Sequence, residues 1–263
     1  MLRAEKYVPL WYDTKERCSR LCCDMLEQEM GSTMKQMDGQ MSESLLLGAL
    51  LALAGGFFDA YTFLCRGGVF ANAQTGNIVL FGLRLAEREW MAALSYLLPV
   101  AAFVLGVVAA EYIRRKSRAG AGSDGWHWRQ SVVLMEAVVL AAVAFWPQRW
   151  NAAANIAISF VCALQVEAFR KVRGSAFAST MCTGNLRSGT EQLVIWWQTG
   201  SRTAARRARH YYGIILFFAL GAAAGGISTV WLSERALLLT LLPLAAVVFI
   251  MFIGKDDGHG GCT

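Results

Sequence analysis

Any chemistry in this 263-residue chain rests on a short motif that occurs twice. Thr75-Gly76-Asn77 recurs 108 positions later as Thr183-Gly184-Asn185, and each threonine stands sixteen residues after an acid, Asp59 in one case and Glu167 in the other. The acids head matching tripeptides, Asp59-Ala60-Tyr61 and Glu167-Ala168-Phe169. These residue types suit a helix that starts inside a membrane, where the first amide N–H groups have no partner within the helix. Thr75 and Thr183 are suited to cap such a start, and Gly76 and Gly184 to let backbones approach closely. Asn77 and Asn185 could offer their amides to a solute or to each other. Paired half-helix N-termini near the midplane would form a polar, partly positive centre. Asp59 and Glu167 could carry a proton or cation, or brace the irregular backbone by accepting its N–H groups. A second reading stands beside this one: Thr-Gly-Asn as a packing motif, with small residues drawing helices together and Asn bonding across them.

The elements that would hold these residues are apolar helices. Hydrophobic side chains make up 56% of the chain and charged ones 17%, against roughly 45–50% and about 25% in soluble domains. Fourteen of the charged residues fall in positions 1–44, and most of the others cluster between long apolar runs. That pattern excludes a soluble single domain, a disordered chain and a disulfide scaffold, and identifies a polytopic membrane protein. A span needs about 20 mostly apolar residues. Residues 45–64, 91–113, 131–147, 152–169, 210–232 and 236–254 qualify, the third being short and containing Glu136. Residues 69–86 and 177–197 are ambiguous, and the second carries Arg187, Ser188, Thr190, Glu191 and Gln192, which are costly against lipid. Arg187 and Glu191, four apart on a helix, are expected to pair.

The order of elements repeats as well: an apolar helix ending near an acid, a Thr-Gly-Asn segment, then two apolar helices. Phe103-Val104-Leu105-Gly106 in the first half is answered by Phe218-Ala219-Leu220-Gly221 in the second. The basic residues then choose between two topologies. With eight full spans in two parallel four-helix repeats they divide 8 to 10 between the two sides, Arg187 aside. With six spans, the Thr-Gly-Asn segments entering and leaving on one side, they divide 14 to 5 (Arg66, Arg84, Arg88, Arg149 and Arg235 forming the minority). The positive-inside rule selects the second arrangement, with both termini cytoplasmic. Three spans per half is odd, so the halves are inverted. The expected fold is therefore all-α, with two inverted three-span repeats, 44–148 and 149–254, each carrying a re-entrant or half-helix Thr-Gly-Asn segment. Residues 1–43 form a polar tail and 255–263 a short C-terminal one. Met41 is followed by Ser42-Glu43-Ser44 and then by the first apolar run, so residues 1–40 read either as a native tail or as an extension upstream of the true start.

Other chemistry finds little support. There is no Walker loop, dinucleotide fingerprint, His-Glu-x-x-His, or nucleophile beside an evident histidine, so neither an enzyme nor a cofactor is expected. The seven cysteines are odd in number, and Cys18, Cys22 and Cys23 have no histidine nearby, so no metal site is expected. Net charge is +6, but basic clusters such as Arg114-Arg115-Lys116 flank apolar segments, which marks membrane orientation rather than a nucleic-acid face. The expected partners are the lipid bilayer and a small solute, with self-association left open. Gly55-Gly56 and Gly225-Gly226 lie in helices and read as close-packing positions.

The run Gly55-Gly56-Phe57-Phe58-Asp59-Ala60-Tyr61-Thr62-Phe63-Leu64, followed by Gly67-Gly68-Val69-Phe70 and Gln74-Thr75-Gly76-Asn77, resembles the YoaK-like family of bacterial integral membrane proteins. The resemblance covers about residues 44–254. It implies a multi-spanning protein of the bacterial cytoplasmic membrane and brings no substrate and no catalytic residues. The second half departs from the pattern by adding Arg187 and Glu191 around a retained Thr183-Gly184-Asn185. Two functions of different class follow as expectations. One is a small-solute transporter or channel whose site is built from both Thr-Gly-Asn segments with Asp59 and Glu167. The other is a non-transporting membrane scaffold that uses the same residues to pack helices.

Overall fold

A computed structural model describes residues 45–119, 128–169, 171–172, 175–176 and 182–256. The tail with its alternative start at Met41 lies outside them. The described chain is helical throughout, apart from a two-residue antiparallel pairing of Lys171–Val172 with Ser175–Ala176. Eight α-helices follow one another: α1 (Leu45–Cys65), α2 (Gln74–Ala86), α3 (Trp90–Ala119), α4 (Trp128–Val143), α5 (Asn151–Ala168), α6 (Cys182–Thr199), α7 (Arg202–Leu232) and α8 (Leu241–Asp256). Short 3₁₀ segments, Gln148–Trp150 and Ser233–Thr240, lead into α5 and α8.

Among the described residues, four stretches are long and apolar enough to cross a membrane: Leu45–Cys65, Trp90–Ser117, Gln148–Ala168 and Arg202–Met251. The last is not one rod. Ser233 takes a left-handed φ of 49°, and the 3₁₀ segment that begins there separates α7 from α8. The six spans expected from the sequence are thus four long helical stretches, with α4 and α8 only 16 residues each. α4 stops at Val143 rather than reaching 147 because Pro147, with an extended ψ of 159°, starts a new element. α2 has 13 residues, about 20 Å at 1.5 Å per residue, and is too short for a hydrocarbon core of about 30 Å. α2 is therefore not among the stretches long enough to cross.

Glycines set the closest helix contacts. A Cβ on Gly221 of α7 would lie 2.0 Å from the Leu53 carbonyl oxygen of α1, and one on Gly56 of α1 would lie 2.0 Å from that of Phe218. Between α3 and α5 the same job falls to Gly106, whose Cβ would lie 2.5 Å from the Phe160 carbonyl oxygen. Only hydrogen fits at these crossings. α2 packs on α3 and α6 on α7. Each short helix joins its long neighbour through one left-handed residue two positions before the long helix, Arg88 (φ 64°) and Gly200 (φ 66°). The buried apolar cluster runs from α1 through α4 and α5 to α8, with Phe58, Tyr61, Leu140, Ile158, Leu164 and Leu244 among its members.

Candidate functional site

α1 is followed by a turn at Gly67 and Gly68, both left-handed with φ of 89° and 76°, which only glycine adopts without strain. The chain then doubles back so that residues 70–73 pass beside the last turns of α1. Asp59 reaches this returning strand. Its Oδ1 accepts the Asn72 backbone N–H at 2.7 Å and the Ala73 N–H at 3.2 Å. The acid expected either to bind an ion or to brace irregular backbone therefore braces the approach to α2, where amide donors would otherwise be orphaned. Its second oxygen, Oδ2, is buried without a hydrogen-bond partner, and so is Asn72 Oδ1.

The Thr-Gly-Asn residues occupy the first turn of α2, as a half-helix start requires, but not in the roles expected. Thr75 is exposed, the residue preceding the helix is Ala73, and no side chain caps there. Asp59 instead holds the two backbone N–H groups that precede the helix, those of Asn72 and Ala73. Asn77 is fully buried and spends its amide on the protein: Oδ1 accepts the Phe70 N–H at 2.9 Å, while Nδ2 donates to the Phe70 carbonyl at 2.7 Å and to Gln74 Oε1 at 2.8 Å. It clamps the turn, and offers nothing to a solute or to Asn185. Gly76 fits because Phe70 lies over it, a Cβ there standing 2.7 Å from the ring. Phe70 in turn stacks on Phe63 with centroids 4.9 Å apart.

In the second half Thr183-Gly184-Asn185 likewise opens α6, with Asn185 buried and Thr183 and Gly184 exposed. Among the described residues nothing stands within 4 Å of a Cβ on Gly184. Residues 180 and 181, which would correspond to Asn72 and Ala73, lie outside the described set. Glu167 is placed differently from Asp59 in one respect: a cation reaches it, Arg114 Nη1 at 3.5 Å, and Arg114 also pairs with Glu111. Arg187 and Glu191 do not form the expected pair. Both are exposed on α6, where they line a groove with Thr183 and Thr190.

The sequence reading missed two buried groups. Glu136 looked like a residue near a segment end, yet it sits in the middle of α4 with no exposure, and Gln165 Nε2 of α5 donates to both its oxygens at 3.1 Å. Its depth depends on where α4 begins and ends, which apolar length alone left uncertain. Arg66, counted among the loop charges, is 1% exposed. Its guanidinium donates to the Val143 and Trp146 carbonyls at 3.0 Å each, to Asn151 Oδ1 at 3.2 Å and to the Tyr61 hydroxyl at 2.9 Å. It thus fills the negative C-terminal end of α4 with a cation. The Arg66 carbonyl accepts from Asn155 Nδ2 at 2.8 Å, which ties the same turn to α5. The only hint in the sequence was position, since an arginine directly before Gly67-Gly68 is suited to fold back.

The arrangement concentrates polarity at one level of an apolar interior. Asp59 and Asn72 meet α5 at Cys162, whose thiol faces the Asn72 side chain and lies within electrostatic range of both Asp59 and Glu136. Ser159 and Gln165, one turn to either side of Cys162 on α5, are fully buried. Such a cluster can hold a proton, a small cation or a polar solute.

Known proteins place this chain without assigning it an activity. No solved structure matches it. The UPF0700 transmembrane protein YoaK of Bacillus subtilis (strain 168) is 29% identical over 154 residues, which cover 55% of this chain and 65% of that protein, so the chain aligns with less than two thirds of that relative. Residues 47–250 match the family described as protein of unknown function DUF1275. That match takes in every described helix from α1 to the last turns of α8, and the chain belongs to this family as a YoaK-like membrane protein.

Proposed function

We propose that the protein carries a small solute across the bacterial cytoplasmic membrane, as a transporter or channel and without acting chemically on it. The observation behind this reading is the buried polar cluster of Asp59, Asn72, Glu136, Ser159 and Gln165, set among apolar helices and beside the start of a helix too short to span. Polar groups at such depth are costly and mark pathways in membrane proteins. Irregular backbone at that depth is tolerated where protein or a cavity satisfies it, and Asp59 and Asn77 do so here. In this reading the protein is two inverted halves, α1–α4 and α5–α8, with both termini cytoplasmic. The repeat is supported by equivalent glycine crossings at Gly106 and Gly221 and equivalent left-handed turns at Arg88 and Gly200. Thr75-Gly76-Asn77 and Thr183-Gly184-Asn185 frame the two half-helix starts, and Asp59 and Glu167 set the polarity beneath them.

The experiment is uptake by purified protein in sealed vesicles, against a panel of small anions, cations and neutral metabolites. The expected outcome is uptake of one class, lost in Asp59→Ala and Glu136→Ala protein that still folds. A scaffold is the second reading, and the closed Asn77–Phe70 clamp favours it, because that motif is consumed by packing. No uptake across the panel, together with stable capture of a membrane partner, would decide for the scaffold.

A further inference from the structure

Asp59 of α1 and Glu136 of α4 are both buried, and among the described residues neither is bonded to a lysine, arginine or histidine. A charge removed from water without a countercharge is strongly disfavoured, and here two of the same sign flank Cys162. The hydrogen bonds around them are unbalanced in a particular direction. Asp59 Oδ2, Asn72 Oδ1 and Gln165 Oε1 are buried oxygens without a partner, and Ser159 Oγ is a fourth. The first three only accept while the acid is ionised; of the groups around them the Ser159 hydroxyl can donate, and the Cys162 thiol beside Asn72 only weakly. The cluster is short of donors, and a proton on a carboxylate supplies one by converting an acceptor oxygen into an O–H.

The two acids are not equivalent. Asp59 receives two backbone N–H groups at the approach to α2, the partners that suit an anion. Glu136 receives a single neutral side-chain amide, from Gln165. The other groups around them leave this difference intact. On α5 there is Cys162, and Cys182 of α6 is within electrostatic range of Asp59. The α8 side chains lining α4, Leu244 and Val248 among them, are apolar. On α3, Arg114 and Glu111 are engaged with each other and with Glu167.

We propose that this cluster is a proton-binding site, with Asp59 held as the anion and Glu136 carrying an exchangeable proton. The inference rests on the carrier reading only for its use, since proton binding requires no solute. In the balanced step one proton from water joins a Glu136 carboxylate oxygen and the same proton leaves on release, with no other bond changed. The test is infrared difference spectroscopy of the full-length protein in lipid discs during a pH titration. A protonated-carboxyl stretch that titrates is expected, absent in Glu136→Gln, retained in Glu167→Gln and shifted in midpoint by Asp59→Asn. Glu136→Gln mimics the neutral acid and keeps the Gln165 contact, so it should fold with an unchanged thermal midpoint. A carboxyl band that survives Glu136→Gln would overturn the assignment. So would stabilisation by sodium over choline at constant pH without any band, which would make the ligand a metal cation. A silent uptake panel with the band present would remove the carrier and leave the proton site, whereas uptake without the band would do the reverse.

Discussion

At the residue scale, the site is governed by which buried polar atoms have partners. Asp59 holds two backbone donors through one oxygen. Asp59→Asn retains an acceptor oxygen in that place, whereas Asp59→Ala leaves both N–H groups unsatisfied at about 1–3 kcal/mol each. Thermal unfolding in detergent should therefore show a clearly larger loss for alanine than for asparagine; equal losses would mean that the acid braces nothing. Arg66 is the sharper case because its planar fork is used in three directions, on α1, on the end of α4 and on the start of α5. Lysine keeps the charge but not the fork. Arg66→Lys should cost about 2–4 kcal/mol, since at least one buried carbonyl loses its donor. A lysine variant as stable as the parent would show that charge alone matters there. Asp59 was legible in the sequence because an acid closing an apolar run is conspicuous. Arg66 was not, because its partners are backbone carbonyls some eighty residues away, and carbonyls have no letter in a sequence. Asn77 misled for the same reason: its type announced a hydrogen-bonding amide, and its partner is the backbone of Phe70.

At the element scale, the long helices were readable from composition and the short ones from interruption. Residues 69–86 looked ambiguous as a span because they join the end of a return led by Gly67 and Gly68 to the 13-residue α2. Residues 177–197 carry charges because α6 turns an exposed face outward. The break between α7 and α8 was legible from Ser233-Glu234-Arg235, but apolar length could not reveal that residues 236–239 belong to a 3₁₀ segment rather than to α8, because they are as apolar as the helix that follows. Two substitutions probe the joints. Arg88 holds a left-handed φ of 64° where the matching turn has Gly200. That conformation costs an L-residue roughly 1–2 kcal/mol, part of which glycine returns as entropy of the unfolded chain. Arg88→Gly should therefore raise stability by about 0.5–1 kcal/mol, read as a higher thermal midpoint; a lower one would mean that the turn is not under strain. Gly221→Ala should act in the opposite sense, because the new methyl would fall 2.0 Å from the Leu53 carbonyl oxygen. Separating α1 from α7 to admit it should cost about 1–3 kcal/mol, and Gly106→Ala should cost a similar amount at the α3–α5 crossing. If one is tolerated and the other is not, the two crossings are not equivalent and the repeat loses its best support.

At the scale of the whole molecule, the proposed orientation rests on where charge is left once the buried cations are set aside. Arg66 belongs to the interior and carries no weight in a count of loop charges. Removing it from the minority side strengthens the bias that puts 114–129 and 170–209 together, because the remaining residues there, Arg84, Arg88, Arg149 and Arg235, are few and Arg84 is already paired with Glu87 and Glu89. The short α2 matters equally. If it fully crossed, α3 would run in the opposite direction and the basic end of α3 (Arg114, Arg115 and Lys116) would emerge on the other face. On the proposed topology α2, with 13 residues, returns to its side of entry, α3 is the second span, and its basic end is expected on the cytoplasmic face. The start of α7, with Arg202, Arg206, Arg207 and Arg209, should share that side by the same reasoning applied to α6. Single cysteines introduced at Lys116 and at Arg206, in a cysteine-free background, test both at once in intact cells. Both should resist a membrane-impermeant thiol reagent until the cells are opened. Labelling of the first from outside would mean that α2 crosses after all; labelling of the second alone would mean that α6, 18 residues long, spans where α2 does not, and the halves would then be unequal rather than inverted.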